Sequence, residues 1–274
     1  SAIRGIESEV QKMKGIVESH VVALLDKDIR LDGRKPDEFR KIEIEYGISN
    51  KNAEGSAKVK IGGTEVVAGV KMEVGTPYSD KQDEGTIVAN VELIPMSSPE
   101  FESGPPSSES IELSRSVVDR GIRESKCIDF KKLCIKKGEK MWMVFVDVYS
   151  INDEGNLADA IGLAALAAIQ DTKFPKYDEK TSIIDYKERT KKKIDLKCLP
   201  IPVTVIKVRD KYLVDPTLEE SKAMDARLTI TTVDSGEIVA LQKGGDFSLT
   251  ETDVEKMVEL SIKKGKELRK LLQK

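Results

Sequence analysis

The chain has 274 residues, 45 Lys and Arg against 48 Asp and Glu, and a net charge of −3. That length holds one large domain or two ordinary ones. The balanced charge excludes a global basic field, so any nucleic-acid contact is a local patch. One histidine, His20, leaves histidine-based catalysis almost no material. The three cysteines, Cys127, Cys134 and Cys198, show no Cys-x-x-Cys spacing, which argues against a zinc ribbon or a disulfide framework. A reducing cytosol is the natural compartment. There is no signal peptide and no apolar run long enough to span a bilayer, so a cytoplasmic protein with no membrane contact is expected.

In chain order, Ile6, Val10, Met13, Val17, Val21 and Leu24 recur at helical spacing, which predicts an amphipathic helix over 3–25 whose stripe needs a partner. His20 falls on that helix as a surface or interface residue. Residues 30–36 form a turn. Ala57, Val59 and Ile61 alternate with Lys58 and Lys60, and Val66, Ala68, Val70, Met72 and Val74 follow Gly62-Gly63. This is a hairpin with a tight glycine turn. Another strand is expected at 87–94. Residues 96–110 are rich in Pro, Ser and Gly and read as a loop, with Ser107 or Ser108 capping a helix that runs to about 125. Residues 141–149 are nearly continuously apolar, as in a strand covered on both faces; Trp142 within them reads as core. Residues 157–169 are apolar nearly all round and alanine-rich, a buried helix.

Residues 171–195 are charged and include the basic run 189–193, read as a crossover between two domains. Beyond it come a strand at 203–208, a hairpin of 228–233 and 238–241 turned by Asp234-Ser235-Gly236, and a long helix starting at Ser248 or Thr250 with a capping box. The order of elements argues for an α+β fold of two α/β units, each a mixed or antiparallel sheet packed on helices. The expected division is an N-terminal helix (1–28), a first unit (29–170), the crossover (171–195) and a second unit with its C-terminal helix (196–274).

Two places carry chemistry. On the helix after the Pro-rich loop, at about 100° per residue, Leu113, Val117, Val118, Gly121, Ile111 and Ile122 share one side. Arg115, Arg120 and Arg123 occupy an arc of roughly 140° on the other. Three guanidiniums on one face match phosphate oxygens. The same spacing also permits plain ion pairs, since Asp119 is four residues from both Arg115 and Arg123, and Glu112 is three from Arg115. The second place is the acidic stretch 213–225, with Asp215, Glu219, Glu220 and Asp225. Such a cluster suits a divalent metal or a general acid, or is a charged loop.

The stretch Gly55-Ser-Ala-Lys-Val-Lys-Ile-Gly-Gly-Thr-Glu-Val-Val-Ala-Gly-Val-Lys-Met-Glu and the motif Arg30-x-Asp32-Gly33-Arg34 resemble the RNase PH family. The Gly104-Pro-Pro loop leading into Glu112-Leu-Ser-Arg115 and Val118-Asp-Arg120 resembles its non-catalytic ring subunits of the archaeal exosome. The likeness extends over about 29–266. It implies an RNase PH-like fold and a hexameric ring of three heterodimers, each with a catalytic RNase PH-type subunit, under a trimeric RNA-binding cap. The ring degrades single-stranded RNA from its 3′ end by phosphorolysis. It also implies no cofactor in this chain, with inorganic phosphate, with or without Mg2+, used by the partner. Active members hold phosphate at the start of the buried helix with a glycine, a small hydroxyl residue and an arginine. The matching positions here are Gly155, Asn156 and Leu157, and leucine carries no charge. The family's aspartate pair matches Glu220 and Asp225. The chain therefore reads as a non-catalytic subunit that shapes its partner's active site and contacts RNA through Arg115, Arg120 and Arg123. The alternatives are a self-sufficient phosphorolytic nuclease and a structural spacer without RNA contact.

Overall fold

The computed structural model describes residues 15–273. Of the expected first helix, residues 3–14 lie outside the described residues; the remainder is helical over 15–25 (α1) and leaves His20 exposed. Val21 and Leu25 of α1 are buried against Ile206, Val208 and Leu213.

A mixed sheet of six strands follows. Its order is β1 (Ile42–Tyr46), β2 (Gly55–Ile61), β3 (Thr64–Gly75), β6 (Lys140–Asn152) and β4 (Thr86–Leu93), with β5 (Cys134–Lys136) on the start of β6. All pairs are antiparallel except β4 with β6. The alternation read in the sequence is the observed one: Ala57, Val59, Ile61, Val66, Ala68, Val70 and Met72 are fully buried, and the lysines between them are not. Gly62 turns the hairpin at φ +58, which glycine adopts without strain. The expectation for 141–149 needs correction. Strand β6 alternates rather than being covered twice: Trp142, Val144, Val146 and Val148 face the core, while Met143, Phe145 and Asp147 are half-buried and Tyr149 is exposed. Three of the four outward residues, Met143, Phe145 and Tyr149, are large and mostly apolar, so hydropathy alone could not tell the faces apart. Trp142 is core, edge-on to Phe174 and Tyr177 at 5.6 and 5.7 Å.

Helix α4 (Leu157–Asp171) lies across this sheet and is buried from Leu157 to Ile169. On its other side packs a four-stranded antiparallel sheet ordered β10 (Lys211–Val214), β9 (Ile201–Val208), β11 (Ala226–Thr232) and β12 (Ile238–Gly244). A Cβ on Gly162 of α4 would meet Pro202 Cγ at 2.2 Å, so helix and strand approach as closely as only a glycine permits. The final helix α6 (Glu251–Leu272), capped by Thr250 and Asp253, covers the far face of β9 and β11. There the buried Arg269 donates from Nε to the Leu199 carbonyl at 2.9 Å. Four layers result, sheet, helix, sheet and helix, with one continuous apolar cluster through them. The crossover stretch is not bare chain but a hairpin, β7 (Lys173–Asp178) with β8 (Ile183–Lys193). Among the described residues no helix is long and apolar enough to cross a membrane.

Candidate functional site

The arginine-bearing helix begins as α2 (Ser108–Glu112), capped by Ser107, whose Oγ accepts from the Ser110 amide at 3.1 Å. It then widens into a π-helical stretch, Leu113–Asp119, and ends as α3 (Arg120–Glu124). The Arg120 amide bonds to the Arg115 carbonyl, five residues back. A wheel drawn at 3.6 residues per turn therefore drifts across this helix. Ile111, placed on the core side by that wheel, is in fact 41% exposed.

The helix lies along β4, an edge strand with β6 on one side only. Ser110 Oγ donates to the Val91 carbonyl, Ser114 Oγ to Ala89 at 2.6 Å, and Arg123 Nη2 to Ile87. Three successive outward carbonyls of the strand are thus satisfied by side chains, which protects the edge. Between helix and strand runs an open groove of about 940 Å³, lined by Arg115, Asp119 and Arg123.

The three arginines are not equivalent. Arg123 is committed: Nε donates to Asp119 Oδ1 at 2.7 Å, and its guanidinium lies 5.7 Å from the centre of the Phe130 ring. Glu112, the other acid within helical reach of Arg115, bonds instead to Arg227 at 2.7 Å. Both acids that the spacing offered to Arg115 are therefore engaged elsewhere. Arg115 and Arg120 are exposed and make no ion pair among the described residues. Arg115 faces the groove, and Arg120 stands outside its lining.

The start of α4 holds two successive left-handed residues, Gly155 (φ +95) and Asn156 (φ +61). A Cβ at Gly155 would sit 2.5 Å from the Pro216 carbonyl oxygen. The Gly155 carbonyl accepts from Thr64 Oγ1 at 2.7 Å and Arg40 Nη2 at 3.0 Å. Asn156 Nδ2 donates to Asp159 Oδ2 at 3.0 Å and to Asp215 Oδ1 at 2.9 Å. Leu157 is buried against the core and brings no charge. The surroundings are acidic. Burial pushes the Asp153 carboxyl up, and pushes that of Asp159 up to about 7 against the opposing hydrogen bond from Asn156. A helix N-terminus attracts anions, but these carboxyls oppose one here.

The raised value at Asp159 has a consequence for stability. A carboxyl whose value is about 4 in the unfolded chain and about 7 when folded binds more protons in the folded state. Its stabilising contribution is full below about pH 4 and is lost as pH rises through about 7. Asp159→Asn is expected to flatten this fall, read from denaturant unfolding at a series of pH values.

The carboxylates of the acidic stretch are engaged within the chain. Asp215, at φ +47, is fully buried and receives Arg34 Nη1 at 2.9 Å and Arg40 Nη2 at 2.7 Å. Glu220 is fully buried and takes Arg30 in a two-pronged pair, Nε at 2.8 Å and Nη2 at 2.6 Å. Glu220 also completes the capping box of the short helix α5 (Leu218–Lys222) with Thr217. Asp225 is half-buried and accepts from the Arg209 amide at 2.5 Å. Glu220 and Asp225, expected as a degenerate acidic pair, are thus each held by a different structural partner. Among the described residues no group of three or more His, Cys, Asp or Glu is arranged to hold a metal ion. The sequence offers Arg30 and Arg34 only as part of a family motif and does not single out Arg40. Their motif reads locally as a turn, and their carboxylate partners lie up to 190 residues away.

The 3′ exoribonuclease family matches with its domain 1 over residues 38–175 and its domain 2 over residues 198–264. The chain is 46% identical to the exosome complex component Rrp42 of Thermococcus gammatolerans, covering 97% of each chain. It is also 46% identical to that of Archaeoglobus fulgidus, covering 93% of this chain and 95% of the other. Its fold superposes with a TM-score of 0.87 on a chain of an Archaeoglobus fulgidus exosome with RNA bound to the active site, at 46% identity, covering 94% and 98%. A chain of an archaeal exosome core gives 0.84 at 44% identity, covering 96% and 98%. Rice Rrp46 shares the fold alone, at 0.67 and 16% identity, covering 89% and 98%. With both family domains matched in order and near-full-length relatives at this identity, the chain belongs to the RNase PH-type 3′ exoribonuclease family.

Proposed function

We propose that this chain is a non-catalytic ring subunit of an archaeal exosome. It pairs with a catalytic RNase PH-type subunit, three such pairs form the hexameric ring, and a trimeric RNA-binding cap sits on one face. The partner carries out phosphorolysis of single-stranded RNA with inorganic phosphate and Mg2+ in the cytoplasm. This chain completes the partner's active site and holds the RNA backbone through Arg115 and Arg120, with Arg123 bracing the groove wall. Its units are 29–170 and 196–274, joined by the hairpin region 171–195.

The observation that carries the non-catalytic reading is the start of α4. Leu157 occupies the position that matches the arginine of active members and brings no cation to it, and Asp153 shares its cavity. Electrostatic stabilisation of the attacking phosphate and of developing charge is normally a large part of catalysis, and here its sign is wrong. The relatives' designation as exosome components supports the assembly. The purified chain, incubated alone with single-stranded RNA, magnesium and phosphate, is expected to release no nucleoside diphosphate. Release that disappears in Asp225→Asn would overturn the reading in favour of a self-sufficient nuclease.

A further inference from the structure

The basic run 189–193 is folded chain: it makes the second half of strand β8. Arg189, Lys191, Lys192 and Lys193 fall within five residues. None of them makes an ion pair among the described residues, where the hairpin's own pair is Lys176 with Glu188 at 2.7 Å. Lys192 lies over the Phe174 ring, 4.4 Å from its centre, and so has an aromatic neighbour in place of a carboxylate. The side chains of Arg189, Lys191 and Lys193 make no hydrogen bond among the described residues either.

The register sharpens the excess. Lys193 stands directly across from Lys173, and like charges in that position destabilise a ladder. The nearest acids along the chain have other partners. Glu188 is taken by Lys176, and Asp185 accepts from the Lys187 amide at 2.9 Å. Asp171 and Asp195 share a cavity with Lys193. Of these, Asp171 accepts from the Ser56 amide at 3.1 Å and Asp195 from Lys132 at 2.9 Å. A chain of net charge −3 thus carries a strip of unpaired cations on one largely exposed strand.

Such a strip attracts a polyanion, because each phosphate it neutralises releases condensed counterions. The lysines act as point charges, and Arg189 adds a planar fork that matches phosphate oxygens. No apolar side chain lies between Arg189 and Lys193, whereas a protein partner's interface is apolar at its core. We infer that the second half of β8 is a second contact surface for the backbone of single-stranded RNA. It is separate from the groove beside β4, whose lining includes none of these residues. Contacts to phosphate alone make it indifferent to base sequence. The inference rests on the RNA-degrading reading of the chain only for the identity of the polyanion.

The test is fluorescence anisotropy with labelled oligouridylate, on the full chain and on the assembled ring, over a series of salt concentrations. Arg189→Gln with Lys191→Gln and Lys193→Gln is expected to weaken binding at least about tenfold in both, and to lower the slope of log affinity against log salt by about 2, at roughly 0.7 per contact. Lys191→Arg with Lys193→Arg keeps the charge and is expected to bind as the parent does, which separates loss of charge from loss of fold. Unchanged affinity and slope in the triple variant, or a loss confined to the free chain, overturns the inference. Polyglutamate that binds more tightly than the RNA, and is released by the same three changes, gives the strip to an acidic protein and overturns it as well. Arg115→Glu with Arg120→Glu, measured in parallel, keeps the two surfaces apart. Loss there without loss here sinks only this inference; loss here without loss there sinks only the groove.

Discussion

Reversing the charge of both unpaired arginines, Arg115→Glu with Arg120→Glu, lowers the RNA affinity of the assembled ring by at least about tenfold and slows degradation to match. The expectation rests on how the helix distributes its charges. Arg123 spends its guanidinium on Asp119, Ile87 and Phe130, and Glu112 spends its carboxylate on Arg227. Arg115 and Arg120 are left exposed, with no ion-pair partner among the described residues. Contacts of this kind bind the phosphate backbone and read no bases. Loss of two phosphate contacts with a single strand reduces the slope of log affinity against log salt by about 1.4, at roughly 0.7 per contact. Fluorescence anisotropy with a labelled oligonucleotide at several salt concentrations measures both quantities. The loss should be similar for unrelated RNA sequences. Unchanged affinity and degradation would make the subunit a structural spacer. Arg123→Glu provides a contrast: it should weaken folding as well as binding, because its partners are within the chain.

Glu220→Ala is expected to destabilise the chain by about 3–5 kcal/mol, the usual cost of removing one partner from a buried ion pair. Arg30 and Glu220 each have side chains 1% exposed. The alanine variant strands a guanidinium in the interior, still bonded to the carbonyls of Val214 and Asp215 but with no counter-charge. It also deletes the Thr217 amide's acceptor in the capping box. A double change of Arg30→Met with Glu220→Leu should cost much less, since no charge then remains buried. The midpoint of urea unfolding, with its slope unchanged, reports the difference. A Glu220→Ala chain as stable as the parent would return this carboxylate to the role of a relic of catalysis. The pair also has a positional meaning. Together with Arg34 and Arg40 on Asp215, it ties the segment before β1 to the second sheet and to the start of α4.

Much of this was legible in the chain itself. The alternation of Ala57, Val59 and Ile61 with lysine, the glycine turn at Gly62, the alanine-rich run of α4 and the capping box at Thr250 are local patterns, and each appears where its period and end signals place it. The absence of charge at Leu157 was equally plain, because a side chain's chemistry does not depend on the fold. What escaped notice was of another kind. The hairpin at β7 and β8 is written in charged residues with irregular register, so no clean period marks it. The π-helical stretch alters which residues share a face, and Ile111 was misplaced for that reason.

The acidic stretch from Asp215 to Asp225 marks the boundary most clearly. Composition alone determined that carboxylates are dense there, that the chain lacks a cation at Leu157, and that any RNA contact must be a local patch of arginines. Whether those carboxylates are chemical or structural was decided only by tertiary contacts. Glu220 is a buried strut because Arg30, 190 positions away, is folded against it, and Asp215 because Arg34 and Arg40 are. Likewise Arg115 has no ion-pair partner among the described residues because Arg227, from the second sheet, takes the glutamate that helical spacing assigns to it. Coulomb and hydrogen-bond energies depend on distance through space. A sequence records only distance along the chain, so it names the charges and leaves their pairing to the fold.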